Sequence, residues 1–108
     1  EEILRGGAGT PGKLADVLNN IAYLAKKAGR FDDATNYYLE AFSLLKNLDD
    51  SSYNFKSIVI CFNLSRLFED SDRIQAIEWC ELGLSMADNF LEEDHDLFEA
   101  LREQRLSL

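Results

Sequence analysis

Residues 13–45 read KLADVLNNIAYLAKKAGRFDDATNYYLEAFSLL, and this stretch decides the fold. Its apolar residues recur every three or four positions on both sides of Gly29, which is the period of an amphipathic helix. The first predicted stripe consists of Leu14, Val17, Leu18, Ile21, Leu24, Ala25 and Ala28. The second consists of Phe31, Ala34, Tyr38, Ala41, Phe42, Leu45 and Leu48. Because glycine adopts positive φ without strain, Gly29 predicts a tight turn between two helices.

The rest of the chain repeats this pattern between short polar breaks. Thr10 followed by Pro11 predicts the start of the first helix, since threonine is a good N-cap and proline suits the first helical position. The polar breaks "DDSS", "DSD" and "EEDHD" then separate three more segments of helical period, at residues 52–69, 73–90 and 97–106. The sequence therefore predicts an all-α chain whose short turns pair consecutive helices as antiparallel hairpins.

The helices also form an internal repeat. "LNNIA" at residues 18–22 aligns with "CFNLS" at 61–65, and "DDATNYYLEAFSL" at 32–44 aligns with "IQAIEWCELGLSM" at 74–86. A period of about 42 residues lies in the range of stacked helical-hairpin repeats.

The first repeat resembles a tetratricopeptide repeat. The residues that fall at the spacing of that family's signature are Leu18, Ile21, Ala22, Gly29, Phe31, Ala34, Tyr38 and Ala41. Small residues at Ala22 and Ala34 let two helices approach closely, and Phe31 and Tyr38 are expected to fill the remaining space. The second repeat departs from the pattern, because it has no counterpart of Gly29, and Cys80 replaces the large aromatic residue. The long period and "LNNIA" are similar to the repeats of kinesin light chains.

The resemblance implies a short right-handed superhelix, or α-solenoid, of stacked hairpins. It divides the chain into a flexible glycine-rich segment at residues 1–12, hairpins at 13–50 and 51–91, and a capping helix or the start of a third repeat at 92–108.

Tetratricopeptide domains are scaffolds rather than enzymes, so the resemblance implies an adaptor that binds a peptide or helical segment of a partner protein in a concave groove. Matched onto this chain, two helical lines face that groove, one of Asp16, Asn20, Tyr23 and Lys27 and one of Val59, Asn63, Arg66 and Asp70. The residues expected to bind the partner are Asn20, Tyr23, Lys27, Asn63 and Arg66. The alternative is that this face is only solvated. The family's carboxylate clamp fits poorly, because it would place lysine at Asn19 and asparagine at Tyr23.

A second function is also consistent with the sequence, that of an assembly subunit or a piece of a longer repeat array. Repeat arrays usually need about three units for independent stability, and this chain carries two and a cap. The partner would then be a second copy of the chain, another subunit or neighbouring repeats.

Net charge and composition indicate which kinds of partner and which cellular location to expect. The net charge of −9 disfavours nucleic acid and anionic membranes, and no apolar run or signal peptide predicts membrane insertion. Cys61 and Cys80 lie in apolar surroundings, which favours buried free thiols in a reducing, intracellular and cytoplasmic location, with a disulfide as the alternative.

No residue pattern indicates catalysis, a cofactor or a metal site. Gly7, Gly12 and Lys13 match part of a phosphate-binding loop, but Leu14 stands where the magnesium-binding hydroxyl would be. His95 is a helix cap or, alternatively, a lone metal ligand. Trp79 is expected to pack in the core or between repeats, with an exposed binding anchor as the alternative.

Overall fold

The computed structural model describes residues 11–46, 54–92 and 95–108, and over these ranges the chain is all-helical without a strand. In chain order, the helices are α1 (Pro11–Lys27), α2 (Phe31–Lys46), α3 (Asn54–Phe68), α4 (Arg73–Phe90) and α5 (Asp96–Ser107). The all-α prediction is therefore confirmed. The predicted Thr10 cap and the break at residues 49–52 lie outside the described residues. The predicted flexible segment, residues 1–12, also lies outside them except for its last two residues, which begin α1.

The turn between α1 and α2 forms as the sequence predicts. Gly29 has φ +82°, the left-handed conformation that glycine adopts without strain. Its N–H donates to the Lys26 carbonyl over 3.0 Å, and the Arg30 N–H donates to the Ala25 carbonyl over 2.8 Å. These two bonds satisfy carbonyls at the end of α1 and reverse the chain within three residues.

Polar side chains fix the starts of the last two helices. Asp72 caps α4, because its carboxylate accepts from the Gln75 N–H over 3.1 Å. His95 caps α5 in the same way, with Nδ1 accepting from the Leu97 N–H over 3.1 Å. His95 is thus a helix cap, one of its two predicted roles.

The helices pack in sequence order. α1 packs chiefly on α2, α3 on α4, α2 on α3, and α5 on α4. The α1–α2 contact rests on small residues, since Ala22, Ala34 and Ala41 are fully buried. Trp79 packs edge-on against Phe42 with ring centroids 5.3 Å apart, which joins α4 to α2 and confirms the packing role predicted for the tryptophan.

The apolar stripe predicted for α1 is partly wrong. Its core face is Ala15, Leu18, Ala22 and Ala25, whereas Val17, Ile21 and Leu24 are exposed. Helical periodicity locates apolar faces but does not say which one a neighbour covers, and α1 carries two of them. Alanines form the covered face because only small side chains allow the close approach of α2.

The second stripe also needs one correction. Phe31 is 54% exposed and does not fill the hairpin interior, whereas Tyr38 is 1% exposed and lies in the core cluster. Phe31 is the first residue of α2, and it projects beside the end of α1 rather than between the helices.

α5 is held on the second helix pair by a close contact and a buried polar network. A Cβ added at Gly83 of α4 would lie 3.0 Å from Leu101 of α5, so the glycine permits the close approach. Gln104 Nε2 donates to the Ser65 hydroxyl over 3.2 Å and to the Glu69 carboxylate over 3.0 Å. Both cysteines are buried free thiols.

Candidate functional site

A cleft of about 510 Å³ opens between α1 and α3. It is lined by Tyr23, Lys26, Lys27, Phe31, Tyr38, Phe62, Asn63, Arg66 and Asp70. An adjoining depression of about 420 Å³ shares Lys26, Phe31, Arg66 and Asp70 with it and extends along the start of α2 as far as Thr35. The open space therefore follows the end of α3 and turns onto α2, which gives it the shape of a groove rather than a closed pocket.

Four of the five residues predicted to bind a partner line this one cleft. Tyr23 and Lys27 come from α1, and Asn63 and Arg66 come from α3. The fifth, Asn20, is exposed but does not line it. The prediction that Asn20 and Asn63 share one binding surface is therefore not met at Asn20.

The residue of α1 that meets Asn63 is Asn19. Asn63 Nδ2 donates to Asn19 Oδ1 over 3.0 Å, in a partly buried hydrogen bond between the two helices. One position along an α-helix turns the side chain by about 100°, so Asn20 points away from α3 when Asn19 points toward it.

A second polar contact joins α1 and α3 beyond the asparagine pair. Lys56 Nζ lies 2.7 Å from a carboxylate oxygen of Asp16. These two residues and Asn19 line a separate depression of about 210 Å³, which also includes Phe55 and Val59. The Asn19–Asn63 bond thus lies between two open regions of the same face.

The cleft is basic in a chain whose net charge is −9. Its lining carries Lys26, Lys27 and Arg66 against the single carboxylate of Asp70. Arg66 also makes a 3.5 Å ion pair with Glu69, which follows the last residue of α3. Both partners of that pair are partly exposed, so it adds little stability and leaves the guanidinium able to meet a ligand.

Aromatic rings position two of the cations. Lys27 Nζ lies 5.4 Å from the centroid of the Tyr23 ring, and Arg66 Cζ lies 5.8 Å from that of Phe62. Such cation–π contacts are worth about 0.5–1 kcal/mol at exposed sites. The cleft therefore offers positive charge beside flat apolar surface, a combination that suits an acidic segment with apolar side chains.

Tyr38 belongs to both the core and the cleft. It is 1% exposed, yet it contributes to the cleft lining. Burial, with a smaller contribution from Tyr23, raises the pKa of Tyr38 to about 12. The phenol therefore keeps its proton at neutral pH and adds no negative charge to the cleft.

Several lining residues are not predicted by the sequence pattern. Lys26 escapes it because Lys27 continues the four-residue spacing from Tyr23, although both lysines reach the cleft. The sequence pattern assigns Phe31 and Tyr38 to the core. It singles out Asn19 only as the position where a carboxylate clamp would have a lysine. A signal for Asn19 exists in the "NN" pair, but its choice over Asn20 depends on the rotation of α1 against α3.

Comparison of the chain with protein-family models, with curated proteins and with solved structures finds no match. Among the described residues, no group of three or more histidine, cysteine or acidic side chains is placed to hold a metal ion. No helix in the described part of the chain has both the length and the apolar character to cross a membrane.

Proposed function

We propose that this chain is a non-catalytic adaptor that binds a peptide or helical segment of a partner protein in the cleft between α1 and α3. The observation that carries the proposal is that Tyr23, Lys27, Asn63 and Arg66, chosen from sequence as one binding surface, line a single cleft. The alternative of a merely solvated face gives no reason for a concave shape at this position.

The chemistry of the lining indicates the kind of segment bound. Three cations face the cleft in an otherwise acidic chain, so an acidic segment gains attraction there and steering during encounter. The rings of Tyr23 and Phe62 offer surface to apolar side chains of that segment. The amide of Asn63 has groups beyond its bond to Asn19, which suits contact with a peptide backbone.

The tetratricopeptide architecture is part of the same proposal. Its support is the match between signature spacing and packing, since Ala22, Ala34 and Ala41 are fully buried and Gly29 has positive φ. In a right-handed stack of such hairpins, the first helix of each pair lines the concave side, and α1 and α3 are those helices.

A peptide-library selection tests the binding function with no partner specified in advance. The immobilised chain should enrich peptides that contain aspartate or glutamate beside apolar residues. The selected peptides should bind wild type saturably by isothermal titration calorimetry and bind a Tyr23→Ala variant at least tenfold more weakly. Equal binding to both proteins, or selection of basic peptides, would count against the cleft.

An assembly role is the second candidate, and one observation favours it. Val17, Ile21 and Leu24 form an exposed apolar stripe on α1, and Ile21 and Leu24 border a depression together with Tyr37 of α2. Such a stripe suits contact with another helix rather than with water.

A further inference from the structure

The exposed apolar stripe on α1 has a residue-by-residue counterpart inside the molecule. Extending the alignment of residues 18–22 with 61–65 by the same shift pairs Val17 with Ile60, Ile21 with Leu64 and Leu24 with Leu67. The α1 residues are 38%, 39% and 64% exposed, whereas their α3 counterparts are 2%, 0% and 6% exposed.

The difference in exposure has a single structural cause. The three α3 residues belong to the core cluster that also contains Ala34, Tyr38, Ala41 and Leu45 of α2. α2 thus covers this face of α3, but no described helix occupies the same position on α1. Equivalent side chains therefore form a helix–helix interface in one repeat and an open stripe in the other.

The second helix of each pair shows the same difference, because an aromatic residue is covered on α4 and its counterpart is uncovered on α2. Tyr37 of α2 aligns with Trp79 of α4, in the register that pairs Tyr38 with Cys80. Trp79 is covered edge-on by Phe42 of the preceding helix pair. Tyr37 instead borders an open depression of about 230 Å³, together with Ile21, Leu24 and Ala28.

We infer that the outer face of α1 and Tyr37 forms a docking surface for a helix with the contact pattern of α2, carried by a partner protein. The α2–α3 interface specifies that pattern. It has a leucine at the place of Leu45, which shares a core cluster with the three α3 residues, and a large aromatic residue at the place of Phe42, which contacts the residue aligned with Tyr37.

This surface is separate from the basic cleft. Around α1, the stripe lies on the side of Val17 and Leu24, whereas the cleft is on the side of Asn19 and Lys26. The inference deepens the assembly role by giving it a surface and a partner, and it rests on that second candidate function. If the experiment disproves the docking surface, the proposal of peptide binding in the cleft still stands.

A peptide with the sequence of α2, residues 31–46, provides the probe. Isolated helices of this length are marginal in water, so a lactam bridge between positions 36 and 40 should hold the helix. Both positions are exposed in α2 and lie off its contact face. Labelled at its C-terminus, the peptide is titrated with the full chain and followed by fluorescence anisotropy.

We expect the peptide to bind wild type saturably with a dissociation constant below about 1 mM. Its affinity for Leu24→Glu and for Ile21→Glu should be at least tenfold lower. Matched controls are Ile74→Glu on α4 and Leu106→Glu on α5, which change side chains that are 71% and 86% exposed. They should bind the peptide like wild type. A peptide with Phe42 replaced by serine should bind more weakly, because it loses the contact with Tyr37.

Three results would overturn the inference. The first is no binding up to the highest concentration reached, and the second is equal binding by Leu24→Glu and wild type, which would mean that the peptide displaces native α2 from α3. The third is dimerisation of the wild-type chain in sedimentation equilibrium, abolished by Leu24→Glu, without peptide binding. That result would assign the face to a second copy of the chain.

Discussion

Asn63 of α3 donates a hydrogen bond to Asn19 of α1 over 3.0 Å, and this bond joins the two helices at the edge of the basic cleft. Neighbouring Asn20, which aligns with Asn63 in the internal repeat, does not line the cleft. The asparagine pair therefore links the two walls of the cleft, which gives Asn63 a structural role beside the binding role that the proposed function gives it.

A double-mutant cycle tests that pairing. Asn19→Ala and Asn63→Ala should show a coupling free energy of about 0.5–1.5 kcal/mol, the net contribution of an ordinary hydrogen bond. The measurement is urea unfolding of the wild type, both single variants and the double variant. Asn20→Ala is the matched control, and its effect should add to that of Asn63→Ala. Coupling of Asn63 to Asn20 instead would contradict the observed geometry.

Packing of the first helix pair gives a stability prediction. Ala34 is fully buried in the core cluster shared by α1, α2 and α3, so Ala34→Leu should destabilise the fold by about 1–3 kcal/mol through overpacking. In a domain of this size, each kcal/mol lowers the melting temperature by about 4–8 °C. Ser43→Leu, at an exposed position of the same helix, should melt within a few degrees of wild type. Equal melting of Ala34→Leu and wild type would exclude close α1–α2 packing.

Most of this core is predictable from sequence, and the reasons for the misses are specific. Ala22, Ala34 and Tyr38 can be identified because small and aromatic residues at helical spacing imply close helix pairs. Val17 and Leu24 are wrongly assigned to the core, because an exposed apolar stripe on a helix has the same sequence period as a buried one. The choice of Asn19 over Asn20 requires the rotation of α1 against α3, which tertiary packing sets.

Stability should fall at alkaline pH because buried acids keep their protons in the fold. Burial, with a smaller contribution from Cys80, raises the pKa of Cys61 from 9.0 to about 12, and burial raises that of Tyr38 from 10.0 to about 12. A group whose pKa is higher in the folded state than in the unfolded state makes its full contribution to stability at pH values below its unfolded pKa. That contribution is lost as the pH rises toward the folded value.

The free energy of unfolding should therefore be lower at about pH 10.5 than at pH 7.5, with each fully coupled group contributing at most about 1.4 kcal/mol per pH unit between its two pKa values. Urea unfolding at several pH values measures this. Cys61→Ala should decline less steeply than wild type over the same interval. Parallel curves for the two proteins would show that the Cys61 thiol is not shielded from solvent.

Charge reversal in the cleft should weaken an acidic ligand. In the Lys27→Glu/Arg66→Glu double variant, a peptide selected for wild-type binding should lose at least tenfold in affinity, with a larger loss at low salt because screening is weaker there. Calorimetry at two salt concentrations measures both effects. Glu40→Ala and Glu78→Ala, at exposed positions that line neither the cleft nor its extension, should bind normally. A loss that does not depend on salt would argue against an acidic ligand.

Mapping the bound peptide onto the folded chain tests the adaptor proposal most directly. In a two-dimensional ¹H–¹⁵N NMR titration with a selected acidic peptide, the amides of Tyr23, Lys27, Asn63 and Arg66 should shift together with one dissociation constant. The amides of Glu40 and Glu78 should remain unchanged. Shifts confined to α5 or to the outer face of α1 would contradict binding in the cleft.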